Sequence, residues 1–121
     1  MENRTLPRVL IADPSTAVTE RLAASLDGVA QVIGHATNAR DVLDGIRNGN
    51  PRITVLDIAI GGVELLRQVK RHQPQAIVVI LTHSAEETSR QVCLRHGADY
   101  FLDKIHEFDK VREIVINAGG G

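Results

Sequence analysis

A chain of 121 residues, 43% of them hydrophobic, has the apolar material for one domain's core, and its single cysteine, Cys93, excludes an internal disulfide. Fourteen basic residues against fifteen acidic ones give a formal net charge of -1, so no general attraction draws the chain to nucleic acid or an anionic membrane. The longest apolar run, Ala76 to Leu81, is far short of the ~20 residues that span a bilayer, and the first residues lack the apolar stretch of a signal peptide. A soluble, cytoplasmic chain is therefore expected.

Arg8 to Ala12 (Arg-Val-Leu-Ile-Ala) reads as a buried first strand that delivers Asp13 at its carboxyl end. Pro14 suits the first turn of a helix, where its missing N–H costs nothing. Val18, Leu22 and Leu26 mark that helix's apolar stripe, and Asp27-Gly28 stops it. Gln31 to Ala36 is a second strand, weakened by Gly34. Thr37 or Asn38 can cap a helix carrying Val42, Leu43 and Ile46, and Asn48-Gly49-Asn50-Pro51 ends it. Ile53 to Leu56 runs straight into Asp57 and reads as a central strand. A short turn through Gly61-Gly62 leads to a third helix with Val63, Leu65, Leu66 and Val69, closed by Pro74; its cluster Arg67, Lys70, Arg71 reads as a solvated face. Ala76 to Thr82 predicts the second central strand. Ser84 and Glu87 have the spacing of a capping box, and the helix after them ends at Gly97. Asp99 to Asp103 predicts a fifth strand, followed by Lys104. A last helix with Val111, Ile114 and Val115 frays into Ala118-Gly119-Gly120-Gly121.

Five strands alternating with five helices through short loops imply a parallel sheet covered on both faces with right-handed crossovers. Alternation alone leaves the strand order open, but strands 1, 3 and 4 are the most apolar, which favours the order 2-1-3-4-5. Asp13, Asp57, Thr82 and Lys104 then end strands 1, 3, 4 and 5, where α/β sheets gather their chemistry. Each alone has a plainer role: helix cap, loop polar group, turn hydroxyl, surface charge. Together, two carboxylates, a hydroxyl and an ammonium make an aspartyl-phosphate site in which a carboxylate is the nucleophile and a cation receives the phosphoryl oxygens. A metal role for Cys93 and His96 is disfavoured, since no second ligand pair appears. His35, His72, His83 and His106 are scattered and read as surface groups.

The stretches Val9-Leu10-Ile11-Ala12-Asp13, Val55-Leu56-Asp57, Ile80-Leu81-Thr82 and Gly97-Ala98-Asp99-Tyr100-Phe101-Leu102-Asp103-Lys104 resemble, in order, the signatures of bacterial response-regulator receiver domains. The resemblance implies a flavodoxin-like (βα)5 doubly wound fold, expected over residues 1–118, and the run of glycines predicts a flexible tail at 119–121. It implies phosphoryl transfer to Asp57 from a sensor histidine kinase, with Asp13 in the acidic pocket and Thr82 as the switch hydroxyl; a phosphotransfer protein is an expected alternative donor. Lys104 would be the family's lysine, and Phe101 the aromatic that turns inward on activation. Mg2+ would be held by Asp13, Asp57 and the Ala59 backbone carbonyl. No output domain follows, so a separate effector protein is expected, without direct DNA binding or membrane attachment. The fourth helix, fifth strand and fifth helix form the expected output face and a candidate homodimer surface.

Three departures from the family stand out. Pro14 occupies the place of a second acid, which predicts weak Mg2+ binding. The loop after Asp57 is about three residues shorter by alignment of Glu64-Leu65-Leu66, which bears on kinase docking. Ile105 replaces a proline preceded by a cis bond; cis costs about 2.5–4 kcal/mol before a non-proline, so a trans Lys104–Ile105 bond is expected unless strain is held for function. The first two departures motivate an alternative, a degenerate receiver acting as a phosphorylation-independent interaction module. An enzyme is not expected, since a phosphohydrolase of this type would want an acid at Ala59, and a flavodoxin-like nucleotide binder is unsupported because no glycine-rich phosphate loop follows the first strand.

Overall fold

The computed structural model describes residues 6–119, so Gly120 and Gly121 of the expected tail lie outside the described residues. Among the described residues five strands, β1 (Arg8–Ala12), β2 (Gln31–Ala36), β3 (Ile53–Leu56), β4 (Ile77–Thr82) and β5 (Tyr100–Asp103), alternate with five helices. The helices are α1 (Thr16–Ser25), α2 (Ala39–Gly49), α3 (Gly62–His72), α4 (Glu87–Arg95) and α5 (Lys110–Gly119). All pairings are parallel, in the order β2-β1-β3-β4-β5, the flavodoxin-like arrangement expected from the sequence. β4 and β5 each begin one residue later than Ala76 and Asp99 suggested.

Alternation along the central strands divides the core into two layers. Leu10, Leu56, Val78 and Ile80 face Val42 and Ile46 of α2, Leu65, Leu66 and Val69 of α3, and Cys93 of α4. Val9, Ile11, Ile53, Val55, Val79 and Leu81 face Leu22 of α1 and Val111 and Val115 of α5. This two-sided burial explains why β1, β3 and β4 read as unbroken apolar runs.

Helix boundaries follow local hydrogen bonding. Pro14 precedes the first turn of α1 instead of occupying it. The N-cap is Ser15, whose hydroxyl accepts from the Val18 N–H at 3.3 Å. Asn38 caps α2 by accepting from the Asp41 N–H at 2.9 Å. The expected capping box at Ser84 and Glu87 is absent: α4 is preceded by Glu86 in extended backbone with no side-chain cap, because the Ser84 N–H is already committed to the Thr82 hydroxyl. Gly119 remains helical, so α5 continues past the predicted fraying point. The turn from Asp57 to α3 is short because Gly61 and Gly62 both adopt left-handed backbone, φ 68° and 64°.

At the opposite end of the sheet, Lys70 departs from its expected solvated role. Its ammonium donates to the Ala76 carbonyl at 2.8 Å and to Asp99 Oδ2 at 3.2 Å, while Asp99 Oδ2 also accepts from the Val78 N–H at 2.8 Å. Gly97, at φ 111°, lets the Lys70 stem pass; a Cβ there would lie 2.8 Å from Lys70 Cγ. The glycine and aspartate of the Gly-Ala-Asp run thus tie α3 to the entries of β4 and β5.

Candidate functional site

The backbone brings the predicted residues to one edge. The Asp57 N–H continues the β1–β3 ladder by donating to the Ala12 carbonyl at 3.0 Å, and the Lys104 N–H continues the β4–β5 ladder by donating to Thr82 at 2.9 Å. The side chains of Asp13, Asp57, Thr82 and Lys104 are all buried, Lys104 included, at 7% exposure.

Lys104 closes the site. Its ammonium donates to Asp13 Oδ2 and to Asp57 Oδ2, each at 2.5 Å, across 91 and 47 residues of sequence. Desolvation by burial would push the lysine pKa down, but the two carboxylates outweigh it and hold the ammonium above the ordinary lysine value. The other carboxylate oxygens are held from the backbone: the Ser15 N–H donates to Asp13 Oδ1 and the Ala59 N–H to Asp57 Oδ1, both at 2.9 Å. Both acids are thereby fixed in place by the turns that follow their strands, and the lysine ammonium by the acids. These two backbone donors escaped the sequence reading, which carries no signal for an N–H two residues beyond an aspartate other than the turn itself.

Thr82 is 2% exposed, and its hydroxyl accepts from the Ser84 N–H at 3.1 Å, fixing the β4–α4 turn. Phe101 is 5% exposed and packed among the α3–α4 side of the core, so the inward position that the resemblance associates with activation is the one found here. Its carbonyl accepts from Arg90 Nη1 at 3.3 Å, and the neighbouring Tyr100 is 43% exposed. The Lys104–Ile105 bond is trans. The turn is held by polar bonds in place of proline: Asp103 Oδ1 accepts from the N–H groups of Ile105 at 2.7 Å and His106 at 3.1 Å, and Glu107 Oε1 accepts from the Asp103 N–H at 3.0 Å. Those two amides, His106 foremost, hold the Asp103 carboxyl below the usual carboxylate range. His35, His72, His83 and His106 are exposed. Cys93 is buried, and burial pushes its thiol pKa up.

Among the described residues no group of three His, Cys, Asp or Glu side chains is placed to hold a metal. Asp13 and Asp57 do match what magnesium usually takes from a protein, one or two carboxylates, with phosphate oxygens and water completing the octahedron. The donor set therefore suits a magnesium site completed by phosphate and not one closed by protein alone.

A parallel 2-1-3-4-5 sheet with two acids and a lysine at its carboxyl edge defines a receiver-type signalling module. Residues 9–116 match the response regulator receiver domain family, and the chain belongs to it. The transcriptional regulatory protein CitT of Bacillus subtilis (strain 168) is 29% identical over 102 residues, covering 82% of this chain and 45% of that protein. The response regulator MprA of Mycolicibacterium vanbaalenii is 31% identical over 100 residues, covering 80% of this chain and 43% of that one. The chain thus spans less than half the length of these relatives. Among solved structures, the signal receiver domain of the putative response regulator NarL from Mycobacterium tuberculosis superposes with a TM-score of 0.85 at 21% identity, covering 96% of this chain and 98% of that one. No described helix is long and apolar enough to cross a membrane.

Proposed function

We propose that this receiver domain accepts a phosphoryl group on Asp57 from a sensor histidine kinase or phosphotransfer protein in the cytoplasm and signals through a separate protein. The observation that carries this reading is the buried Lys104 ammonium, 2.5 Å from both Asp13 and Asp57. A lysine held this way orients the Asp57 carboxylate, the nucleophile, and provides a fixed positive charge for incoming phosphoryl oxygens. An Asp57 oxygen attacks phosphorus as the bond to the donor breaks, the donor's nitrogen or oxygen leaving with that electron pair. Asp13 and Asp57, with the Ala59 carbonyl, are the groups that would hold Mg2+, and Pro14 leaves that set one acid short. Bound there, the ion would supply charge for the phosphoryl oxygens.

The output lies in what the phosphoryl group does to Thr82. Its hydroxyl is the nearest switchable donor on β4, and turning it toward the new phosphate releases the Ser84 N–H and loosens the turn into α4. The face of α4, β5 and α5 carries a groove of about 430 Å³ lined in part by Arg90, Leu94, Tyr100, Lys110 and Ile114, and this is the surface we assign to an effector or a second copy. Incubation with Mg2+ and acetyl phosphate should add the mass of one phosphoryl group to the chain and none to Asp57→Asn. No mass gain in the unaltered chain would overturn the assignment.

A second reading, an interaction module independent of phosphorylation, is favoured by one observation: Phe101 is already inward. It predicts that Asp57→Asn binds the effector as well as the unaltered chain does.

A further inference from the structure

In formal charge Asp13 and Asp57 contribute two negatives and Lys104 one positive, which leaves one net negative charge in a buried site. A divalent cation entering that pocket would overshoot neutrality. The ion would also have to take an oxygen from existing donors. Lys104 Nζ is 2.5 Å from both Oδ2 atoms, and the Oδ1 atoms accept from Ser15 and Ala59. Phosphorylation exchanges the single charge of Asp57 for the roughly two of a phosphate group. The pocket then carries two net negative charges, which one divalent ion neutralises, and the phosphate contributes the oxygens that magnesium prefers.

We infer that Lys104 is the cation of the resting pocket and that a divalent ion is taken up only together with the phosphoryl group, because Pro14 leaves the resting site one acid short. The inference rests on the phosphoryl-acceptor reading above. Linkage makes it reciprocal: whatever the phosphoryl group adds to cation affinity, the cation returns in affinity for the phosphoryl group.

Calorimetric titration with Mg2+ tests this on the full chain, alone and with beryllofluoride as phosphoryl mimic. The unaltered chain alone should show no saturation through the millimolar range, and beryllofluoride should bring saturation into it. Pro14→Asp, which restores a negative charge beside Asp13 at an exposed position, should bind Mg2+ without the mimic at least about tenfold more tightly, or about 1.4 kcal/mol. Lys104→Met removes the competing ammonium by another route, and Mg2+ should raise its melting temperature while leaving that of the unaltered chain unchanged. Saturable Mg2+ binding to the unaltered chain alone at millimolar concentrations or below would overturn the inference and leave phosphoryl acceptance standing. Beryllofluoride failing to bind at any Mg2+ concentration would overturn both.

Discussion

Thr54 lies in the middle of β3 with no solvent exposure, level with Leu10 on β1 and Val78 on β4. Its hydroxyl meets no hydrogen-bond partner among the described residues. A buried polar group left unpaired forfeits its hydration, a loss of about 1–3 kcal/mol. Valine has the same branched shape, so Thr54→Val exchanges the hydroxyl for a methyl without a cavity, and a gain of about 1–2 kcal/mol is expected. For a chain of this size the unfolding entropy makes each kcal/mol worth about 4 °C, so the melting temperature should rise by about 4–8 °C. Urea unfolding should show the same gain as a higher midpoint at unchanged slope. A neutral or destabilising result at unchanged slope would mean that the hydroxyl is satisfied in solution, and the reasoning would fail.

Other perturbations bear on different parts of the structure. Gly97→Ala combines a φ of 111° with a Cβ 2.8 Å from Lys70 Cγ; a loss of about 1–3 kcal/mol in chemical denaturation is expected, and a smaller loss would mean that Lys70 moves aside cheaply. Asn38→Ala removes a side-chain cap from α2 and should cost about 1 kcal/mol, whereas Ser84→Ala should change stability by less than about 0.5 kcal/mol, since the Ser84 side chain caps nothing. Equal losses in the two variants would restore the capping box. The Lys104 pKa is raised in the folded chain, so its contribution is fully present below the unfolded lysine value, about 10.4, and is lost as pH rises through the folded one. Stability measured from neutral to strongly alkaline pH should therefore fall at the top of that range, and Lys104→Met should lack that component of the fall.

The parts of this molecule legible in the sequence are those written in backbone periodicity. β1, β3 and β4 announce themselves because both faces are buried, and Asp13, Asp57 and Thr82 follow because each stands where an apolar run stops. Lys104 follows β5, but its burial is not legible in the sequence: a lysine next to a strand end is usually solvated, and only the two acids, distant in sequence, draw it inward. Lys70 shows the same limit, since its partners, Ala76 and Asp99, come from other elements. Ser84 and Glu87 misled for the opposite reason. A four-residue pattern arises readily by chance, and the Thr82 hydroxyl had already claimed the Ser84 amide.

Tyr100 stands half-exposed on β5, beside buried Phe101 and within the groove assigned to partners. It is the only tyrosine in a chain without tryptophan. The ultraviolet emission of this protein therefore arises from one ring on the face that should respond, and repacking there can be followed by intrinsic fluorescence with no label attached.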